Sequence, residues 1–555
     1  MSDAPAQARA AFDRYHARVA ADPLDADPHL RALLQRSGHG DQLPAVQAFA
    51  RRCATELDAL AKETNLGPNL PRLERYDGFG NRTEEVVFHP GYHELGRAVY
   101  GSGVMQRYGT PGQESVTLAL MYQLSQLGEA GHACPLACTA GLIKILGRAL
   151  DEAAATGADT GPMAAWRERL LDPDYDSHFH GSQFLTEVQG GSDVGANAVI
   201  ATPDKDGWWR ITGEKWFCSV ADAQLFLVTA RPEDGREGTK GLMAFAVPRT
   251  LEDGRPNGFA LRRLKDKLGT RSMASSEIDF TGARAWPVGD FRDVVSIVLN
   301  TSRLYNAAAC CGIIQRAARE AAAYAAERTA FGAPILQFPA IARTVARLRA
   351  EAYAARVTTF TLAALADRQA NGDADDLDRA AWRALVNLNK YWTSVQATTS
   401  ARDAIEVLGG NGAIETFSVL PRLLRDGIVV EAWEGGHNVL CAQVLRDAQR
   451  LSLVEAMFTW LDRTLGGLSP ELQHERARWQ ALVQRKDAAV YVRDLVDDLR
   501  GPLCAALLRQ HADDAHDPCE RAAADHVEQL SRRGYDPLAD ARLMERVAIL
   551  VRQVD

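Results

Sequence analysis

The sequence predicts a mainly α protein with a central β domain, and three observations lead to this fold class. Apolar residues recur at three- and four-residue steps over much of residues 46–181, which is the period of an amphipathic helix. Short runs of β-branched and aromatic residues, separated by Asp-Gly turns, fill residues 182–290. Long alanine-rich segments return from residue 291. Grouping the strands in one region favours an all-β domain over alternating βαβ units.

These composition changes divide the chain into five predicted segments. Residues 1–45 form an N-terminal arm, and residues 46–181 form a helical N-terminal domain. Residues 182–290 form the β domain. Residues 291–450 form a helical bundle, because uninterrupted helical segments near 30 residues with short Gly or Pro breaks are typical of bundles. Residues 451–555 form a helical C-terminal extension.

The composition limits the kinds of molecule and compartment that we expect for this protein. The chain has 555 residues, of which 46% are hydrophobic and 24% charged, as in ordinary globular proteins. A net charge of −9 argues against general affinity for nucleic acid or anionic membranes. Nine cysteines occur without the spacing of a disulfide framework or a zinc site, so we expect free thiols and no metal. No signal-peptide core or run of about 18 apolar residues appears, so we expect a cytoplasmic protein without membrane contact.

A carboxylate beside a glycine pair is the most informative local feature. Glu434 follows Trp433 and precedes Gly435 and Gly436, after a long helical region. Glycine lets the backbone approach a bulky ligand closely, and a positioned carboxylate can act as a general base. The alternative interpretation is a simple turn.

Two segments of the β domain carry residues suited to a flavin. Thr186, Gly191 and Ser192 combine hydroxyls with glycine, which can surround a polar ring edge and a pyrophosphate. Phe217 and Ser219 are two residues apart, so on a strand they face the same side, one covering a flat ring and the other reaching a ring nitrogen. The alternatives are a hairpin turn and an aromatic core strand.

Two segments of the bundle fit the other end of such a cofactor. Arg328 follows a long helix and could pair with a pyrophosphate through its planar guanidinium. Gly409 and Gly410 end the second long helical segment and leave room for an adenosine. The alternatives are a cation that satisfies helix C-terminal carbonyls and a glycine C-cap.

In this order and spacing, the motifs resemble those of the acyl-CoA dehydrogenase superfamily from about residue 85 to 445, closest to the AidB-type (alkylation-response) branch. The segments that carry the resemblance are 87–93, 129–135, 186–194, 215–220, 263–272 and 432–435. The resemblance implies a helical N-terminal domain, a β-barrel-like middle domain, a C-terminal helical bundle, non-covalent FAD and a homotetramer. The C-terminal extension also fits the AidB-type branch.

The resemblance assigns roles residue by residue. Glu434 is the catalytic base, because the other position that carries the base in some members is Ser302 here. Arg303 lies on the substrate side. Part of the adenine and pyrophosphate site, at Arg328, Gly409 and Gly410, commonly comes from a neighbouring subunit. The complete set of implied FAD contacts is Leu185, Thr186, Gly191, Ser192, Phe217, Cys218, Ser219, Arg328, Phe331, Gly409, Gly410, Trp433 and Asn438.

Four positions depart from the family pattern. His437 replaces a hydroxyl-bearing residue, Asn300 replaces a common acid, Glu406 stands where Gln is frequent, and Glu431 is an additional acid before the base. These departures affect the expected binding of CoA more than the expected binding of the flavin.

The resemblance also implies the reaction. Glu434 takes the α-proton of an acyl thioester, on CoA or a carrier protein, while the β-hydride moves to flavin N5, giving a 2-enoyl thioester. An electron-transfer partner then reoxidises the flavin. The alternative function is an AidB-like flavoprotein that mainly binds and protects DNA through the extension. That extension holds 14 Lys and Arg against 18 Asp and Glu, a balance of 14 − 18 = −4, which favours the enzyme.

Overall fold

The computed structural model describes residues 4–515 and 517–552. Its α-helices are α1 Ala4–Ala20, α2 Pro28–Arg36, α3 Leu43–Ala54, α4 Glu56–Thr64, α5 Pro90–Val99, α6 Met105–Tyr108, α7 Glu114–Ser125, α8 Ala130–Thr156, α9 Met163–Leu171, α10 Phe291–Asp293, α11 Asn300–Glu327, α12 Pro339–Asn371, α13 Asp376–Leu408, α14 Leu420–Glu431, α15 His437–Leu451, α16 Leu453–Leu465, α17 Pro470–Val483, α18 Ala488–Ala515, α19 Pro518–Ser531 and α20 Leu543–Val551. Short π-helices cover Tyr100–Val104 and Val294–Leu299.

The strands are shorter and concentrate in the middle of the chain. They are β1 Arg72–Tyr76, β2 Arg82–Val87, β3 Gly181–Phe184, β4 Ile200–Pro203, β5 Trp209–Ser219, β6 Leu225–Pro232, β7 Met243–Pro248, β8 Phe259–Leu264, β9 Ser275–Asp290, β10 Thr329–Ala330 and β11 Ala333–Pro334.

The chain forms two compact units. The bundle unit contains Met1–Asp58, Pro111–Gly128 and Asn306–Asp555. The barrel unit contains Ala59–Thr110 and Glu129–Tyr305. The predicted mainly α fold with a central β domain is confirmed, because the seven-stranded sheet lies entirely in the barrel unit and helices make up most of the remainder.

The main sheet of the barrel unit closes on itself. Strand β6 runs parallel to β3 and β4 on one side and antiparallel to β7 on the other. Strands β5 and β9 connect β4 to β7 through antiparallel pairs, so the path returns to β6. Strand β6 is buried over Leu225–Ala230, because both of its edges are paired and its side chains fill the interior.

A β-hairpin interrupts the region that the sequence analysis describes as mostly helical. Strands β1 and β2 pair antiparallel, with Leu73 opposite Val86. The Asp77 carboxylate closes the turn by accepting hydrogen bonds from the backbone N–H groups of Phe79 and Asn81, each at 2.8 Å. The hairpin was not predicted from the sequence because its strands are short and largely charged. The alternation of apolar and polar residues along them is therefore weak.

Helix α8 is the central helix of the barrel unit. By length and composition it is the single described helix that could cross a membrane, but 72% of its most apolar window is buried within the protein. Such burial is typical of a core helix.

Three long helices build the bundle unit. Helices α11, α12 and α13 contain 28, 33 and 33 residues and bury mostly alanine, valine and leucine. Small residues allow close packing, and Gly312 of α11 is the extreme case. A Cβ atom at Gly312 would lie 2.5 Å from the carbonyl oxygen of Tyr122 and 2.8 Å from the Cβ atom of Ser125, at the end of α7.

The C-terminal extension packs against the bundle through specific polar contacts. On α13, the Tyr391 hydroxyl donates to Asp497 at 2.6 Å and the indole N–H of Trp392 donates to the carbonyl oxygen of Val496 at 2.9 Å. The Arg500 guanidinium also donates to the Glu351 carboxylate of α12. Helix α18 of the extension is therefore anchored to α12 and α13.

The close approach at Gly312 leads to a prediction about stability. We expect Gly312→Ala to lower the free energy of unfolding by about 1–3 kcal/mol, because overpacking forces α11 and α7 apart. Chemical denaturation followed by circular dichroism measures this loss. The control is Gly147→Ala in α8, whose new Cβ atom would meet only the side chain of Arg167 at 3.5 Å. Equal destabilisation by both variants would contradict the prediction.

Candidate functional site

A buried ion pair holds the glycine-rich turn of the barrel unit. The ammonium of Lys215 on β5 lies 2.7 Å from the Glu187 carboxylate, and both side chains are buried. Lys215 also donates to the carbonyl oxygen of Leu185 at 3.2 Å. Glu187 in turn accepts from the backbone N–H groups of Ala198 at 2.6 Å and Val199 at 3.3 Å. The start of the turn is therefore tied to β5, and Glu187 joins it to residues 198 and 199. Burial lowers the pKa of Lys215, while Glu187 opposes that shift.

The turn brings the predicted hydroxyl and glycine together. The carbonyl oxygen of Thr186 accepts from the backbone N–H of Trp216 at 2.9 Å. A Cβ atom at Gly191 would lie 2.9 Å from the Thr186 hydroxyl oxygen. Any residue other than glycine would therefore displace that hydroxyl. Gly191 and Ser192 are exposed, and Leu185 and Thr186 are half-buried. Thr186, Gly191 and Ser192 thus offer accessible donors along one short turn.

A β-bulge sets the direction of the aromatic and hydroxyl side chains on β5. The register between β5 and β9 shifts between Lys215 and Cys218, which reverses the alternation of buried and exposed residues. Lys215 and Cys218 are consequently buried, whereas Phe217 is 39% exposed and Ser219 is half-buried. Phe217 and Ser219 share one face, as the sequence analysis predicts. Cys218 has no accessible surface, and its cofactor contact stays a prediction.

Two lysines border this face of β5. The Lys265 ammonium lies 3.6 Å from the centre of the Trp216 ring and 5.4 Å from the centre of the Phe217 ring. The Lys267 ammonium donates to the Ser275 hydroxyl at 2.9 Å, and that hydroxyl is 3.0 Å from the hydroxyl of Ser219. The sequence analysis did not identify either lysine. They add positive charge beside Phe217 and Ser219, which suits an anionic or electron-rich ligand.

The substrate-side residue predicted in the barrel unit is buried. Arg303 lies in the first turn of α11, and its guanidinium donates to the Asn300 side-chain oxygen at 3.1 Å. The Ser302 hydroxyl, one residue earlier, accepts from Gln183 at 3.2 Å.

The predicted base lies in a short loop of the bundle unit between α14 and α15. Glu434 is half-buried and has a φ angle of 56°, a left-handed conformation that costs free energy for a residue other than glycine. Gly435 follows with a φ angle of 110°. Trp433 is half-buried and Asn438 is exposed. The loop therefore needs support from its surroundings to hold Glu434 in one orientation.

Lys390 of α13 supplies that support. Its buried ammonium donates to the carbonyl oxygens of Glu431 at 2.8 Å and Gly435 at 3.2 Å. Glu431 is the last residue of α14, so its carbonyl oxygen belongs to the negative end of the helix dipole. Lys390 thus binds the backbone on both sides of Glu434. Sequence analysis missed it, although a lysine within an otherwise apolar helical stretch was a usable signal.

The second acid near the loop has other partners. The Glu431 carboxylate accepts a hydrogen bond from the Thr398 hydroxyl and lies 3.4 Å from the His437 ring. Burial, with Lys390 and Arg493 nearby, lowers the pKa of His437 to about 4, so this imidazole is neutral at pH 7. The Glu431 carboxylate is therefore held by residues of α13 and α15.

The C-terminal extension also contacts this region. Arg493 of α18 donates to the side-chain oxygen of Asn438 at 3.2 Å and to the Tyr391 hydroxyl at 3.2 Å. The Tyr391 ring packs edge-on against the ring of His437, with centroids 5.0 Å apart. Asn438, a predicted FAD contact, is thus oriented from the extension, a connection that the sequence alone does not reveal.

The remaining predicted residues of the bundle unit are accessible. Arg328 follows α11 and is half-buried, and Phe331 forms the tip of the β10–β11 hairpin with 98% of its surface exposed. Gly409 and Gly410 end α13 in exposed positions, with a φ angle of 60° at Gly409. A Cβ atom at either glycine would meet nothing within 4 Å, so their surroundings leave space for a ligand.

Three family models cover most of the chain. The N-terminal domain of the adaptive response protein AidB matches residues 15–177. The middle and C-terminal domains of acyl-CoA dehydrogenase match residues 182–283 and 291–449. The candidate residues described above lie in the last two matches.

Individual relatives agree with these models. The putative acyl-CoA dehydrogenase AidB of Escherichia coli is 33% identical over 437 residues, covering 76% of each chain. Acyl-CoA dehydrogenase family member 11 of Caenorhabditis elegans is 31% identical, covering 77% of this chain and 69% of the relative. A crystal structure of C. elegans ACDH-11 in complex with C11-CoA superimposes with a TM-score of 0.82 at 27% identity, covering 94% and 92%. The chain therefore belongs to the acyl-CoA dehydrogenase family, whose members are FAD-dependent oxidoreductases acting on CH–CH groups.

Proposed function

We propose that this protein dehydrogenates an acyl thioester, carried by CoA or by a carrier protein, to the 2-enoyl thioester. The observation that carries the proposal is the loop at Glu434, whose backbone is bound on both sides of this residue by one buried ammonium. The ACDH-11 structure, solved in complex with C11-CoA, supports an acyl-CoA as the substrate class.

Each unit, taken by itself, carries residues that suit one part of FAD. Phe217 and Ser219 present an aromatic ring and a hydroxyl on one face, and Thr186 and Ser192 lie on the turn held by Lys215. In the bundle unit, the surroundings of Gly409 and Gly410 leave space for the adenosine end. When bound, FAD would supply the redox chemistry by accepting the β-hydride. We infer that Leu185, Gly191, Cys218, Arg328, Phe331, Trp433 and Asn438 complete the set of FAD contacts.

Glu434 performs the proton transfer in this proposal. Its carboxylate takes the proton on the carbon next to the thioester carbonyl, while its own backbone N–H can donate to that carbonyl oxygen. A positioned donor at the carbonyl stabilises the negative charge that develops as the proton leaves. In this proposal Lys390 holds the backbone around Glu434, so the carboxylate and the N–H keep one orientation. A fixed orientation of the reacting groups raises the rate.

The assembly and partners follow from the same proposal. A large aromatic at a hairpin tip, Phe331, suits a contact with another subunit, which supports the homotetramer. Reduced flavin needs an acceptor, so we propose an electron-transfer partner. All nine cysteines are buried thiols, which supports a reducing cytoplasm.

The direct test is anaerobic reduction of the bound flavin by a panel of acyl thioesters. We expect at least one thioester to bleach the flavin absorbance. We expect Glu434→Gln to retain FAD and the assembly but to slow this reduction by about 10²–10⁴-fold, because the variant keeps the shape and loses the proton acceptor. Stopped-flow absorbance measures the rate.

The matched control is Glu431→Gln, three residues earlier. Since the Glu431 carboxylate is held by Thr398 and lies beside His437, we expect less than about a tenfold change in the same rate. The assignment of the base is wrong if Glu431→Gln abolishes reduction and Glu434→Gln does not.

Lys390 is expected to act as a positioning residue. Lys390→Met removes the ammonium and leaves two carbonyl oxygens without that donor, so the loop at Glu434 should shift. We expect FAD content to persist and the limiting rate of flavin reduction to fall by about 10²-fold, with a much smaller change in KM. Lys486→Met, at an exposed position of the extension, is the control. An unchanged limiting rate in Lys390→Met would contradict this role.

DNA binding is the second candidate function, and the structure of the extension weighs against it. Of the 14 Lys and Arg residues after position 450, at least eleven form ion pairs with carboxylates. These are Arg463, Arg476, Arg478, Arg485, Arg500, Arg509, Arg521, Arg532, Arg533, Arg542 and Arg546. Paired charges present little net positive potential to phosphates.

We therefore expect weak binding to duplex DNA at about 150 mM salt, falling steeply as salt rises. Fluorescence anisotropy with a labelled duplex measures the affinity across a salt series. Submicromolar affinity at about 150 mM salt would favour the DNA-binding function over the enzyme.

A further inference from the structure

Two histidines and a glutamate from distant parts of the chain meet inside the bundle unit. His29 lies on α2, His511 near the end of α18 and Glu520 on α19. One ligand atom from each lies within 4.8 Å of the other two, and the Nε2 atom of His29 is 3.6 Å from a carboxylate oxygen of Glu520. We propose that these three side chains bind a divalent transition-metal cation.

The first argument is the burial of the Glu520 charge. Glu520 has an exposed fraction of 0%, and neither carboxylate oxygen has a hydrogen-bond partner among the described residues. A buried ionised carboxylate without donors is strongly unfavourable, so such a group is protonated, paired or bound to a metal. Burial accordingly raises the pKa of Glu520 to about 7. His29 is buried as well, with its Nε2 atom directed to the same place.

The second argument is the balance of the neighbouring charges. The closest buried cation, Arg356 of α12, is paired with the Asp27 carboxylate at 3.4 Å. Arg356 also donates to the Tyr122 hydroxyl at 3.3 Å and to the Gln315 side-chain oxygen. Its charge is therefore already opposed by Asp27. The exposed Arg36 of α2 is the other cation that acts on Glu520, but its guanidinium donates to the carbonyl oxygen of His511.

The third argument is the donor set. Two imidazole nitrogens and one carboxylate oxygen suit Zn²⁺ and the neighbouring first-row divalent cations, whereas Mg²⁺ and Ca²⁺ prefer oxygen ligands alone. With metal–ligand distances of about 2.0–2.2 Å, ligand atoms of a tetrahedral site are about 3.4 Å apart. The separation of 3.6 Å between His29 and Glu520 is already close to that value, and no ligand atom of the three is more than 4.8 Å from another.

Arg356 sets a condition on how His29 can bind the cation. Its Nε–H donates to the Nδ1 atom of His29 at 3.3 Å. Histidine binds a metal as a neutral ring, so a cation at Nε2 requires the ring proton to lie on Nδ1. Cation binding therefore breaks this hydrogen bond, and Arg356 keeps its ion pair with Asp27.

Such a cation would join the two ends of the chain. Helix α2 belongs to the N-terminal arm, whereas α18 and α19 belong to the C-terminal extension. Arg36 of α2 already donates to the carbonyl oxygen of His511 at 2.6 Å, which brings the end of α18 to the cluster. Metal binding at this place therefore adds a cross-link between segments separated by about 480 residues of sequence, and it raises the free energy of unfolding.

The test uses the full-length protein, stripped of metal with a chelator and then dialysed. We expect one equivalent of Zn²⁺ per chain to bind and to raise the midpoint of thermal unfolding by at least about 2 °C. Isothermal titration calorimetry measures the stoichiometry. Co²⁺ in place of Zn²⁺ should give a visible absorption band of a low-symmetry site.

Two variants distinguish a metal site from a cluster that only holds a buried proton. Glu520→Gln removes the buried charge, so we expect metal-free unfolding at the same or a higher temperature and loss of the Zn²⁺-dependent rise. His29→Gln should lose the same rise. His474→Gln, at an exposed histidine of α17, should keep it and controls for adventitious surface binding. If the stripped wild-type protein does not respond to Zn²⁺ or Co²⁺ and Glu520→Gln only raises its unfolding temperature, the cluster holds a proton and the proposal is wrong.

Discussion

A buried ammonium must find oxygen acceptors inside the protein, and this constraint shapes one candidate loop in each of the two units. Lys215 and Lys390 are both fully buried. The first binds the Glu187 carboxylate and the Leu185 carbonyl oxygen, and the second binds the carbonyl oxygens of Glu431 and Gly435. Desolvating an ammonium is expensive, so these contacts cannot be exchanged for weaker ones without a large loss of stability. Each loop is consequently fixed by one charge on a regular strand or helix.

The same constraint explains how unfavourable local geometry persists at the site. Glu434 has a φ angle of 56°, and the β-bulge before Cys218 breaks the ladder between β5 and β9. Neither feature is favoured by the local sequence. Each lies within a few residues of a group that a buried lysine binds, so long-range polar contacts stabilise a backbone that short-range preferences disfavour. The side chains that face ligands are thereby held by rigid elements.

The sequence predicted the parts of this architecture that depend on local pattern. The helices over 339–371 and 376–408 follow from helical periodicity, and the strands from β5 to β9 follow from β-branched runs between Asp-Gly turns. The candidate residues Glu434, Thr186 and Ser219 were found because they lie in motifs. Lys390 and Arg493 were missed, since their importance comes from the loop that they contact and not from neighbours in sequence. The β1–β2 hairpin was missed because charged residues mask its alternation.

The C-terminal extension shows why net charge alone decides little about a partner. Its balance of −4 argues against DNA only on average, because a basic patch can exist within an acidic segment. The structure gives the stronger argument, since many of these arginines are paired with carboxylates, as Arg500 is with Glu351 on α12. Arg493 also reaches Asn438, four residues after Glu434. Charges that are paired within the protein are less available to neutralise phosphates. The extension thus packs against the bundle and contacts the segment that follows Glu434.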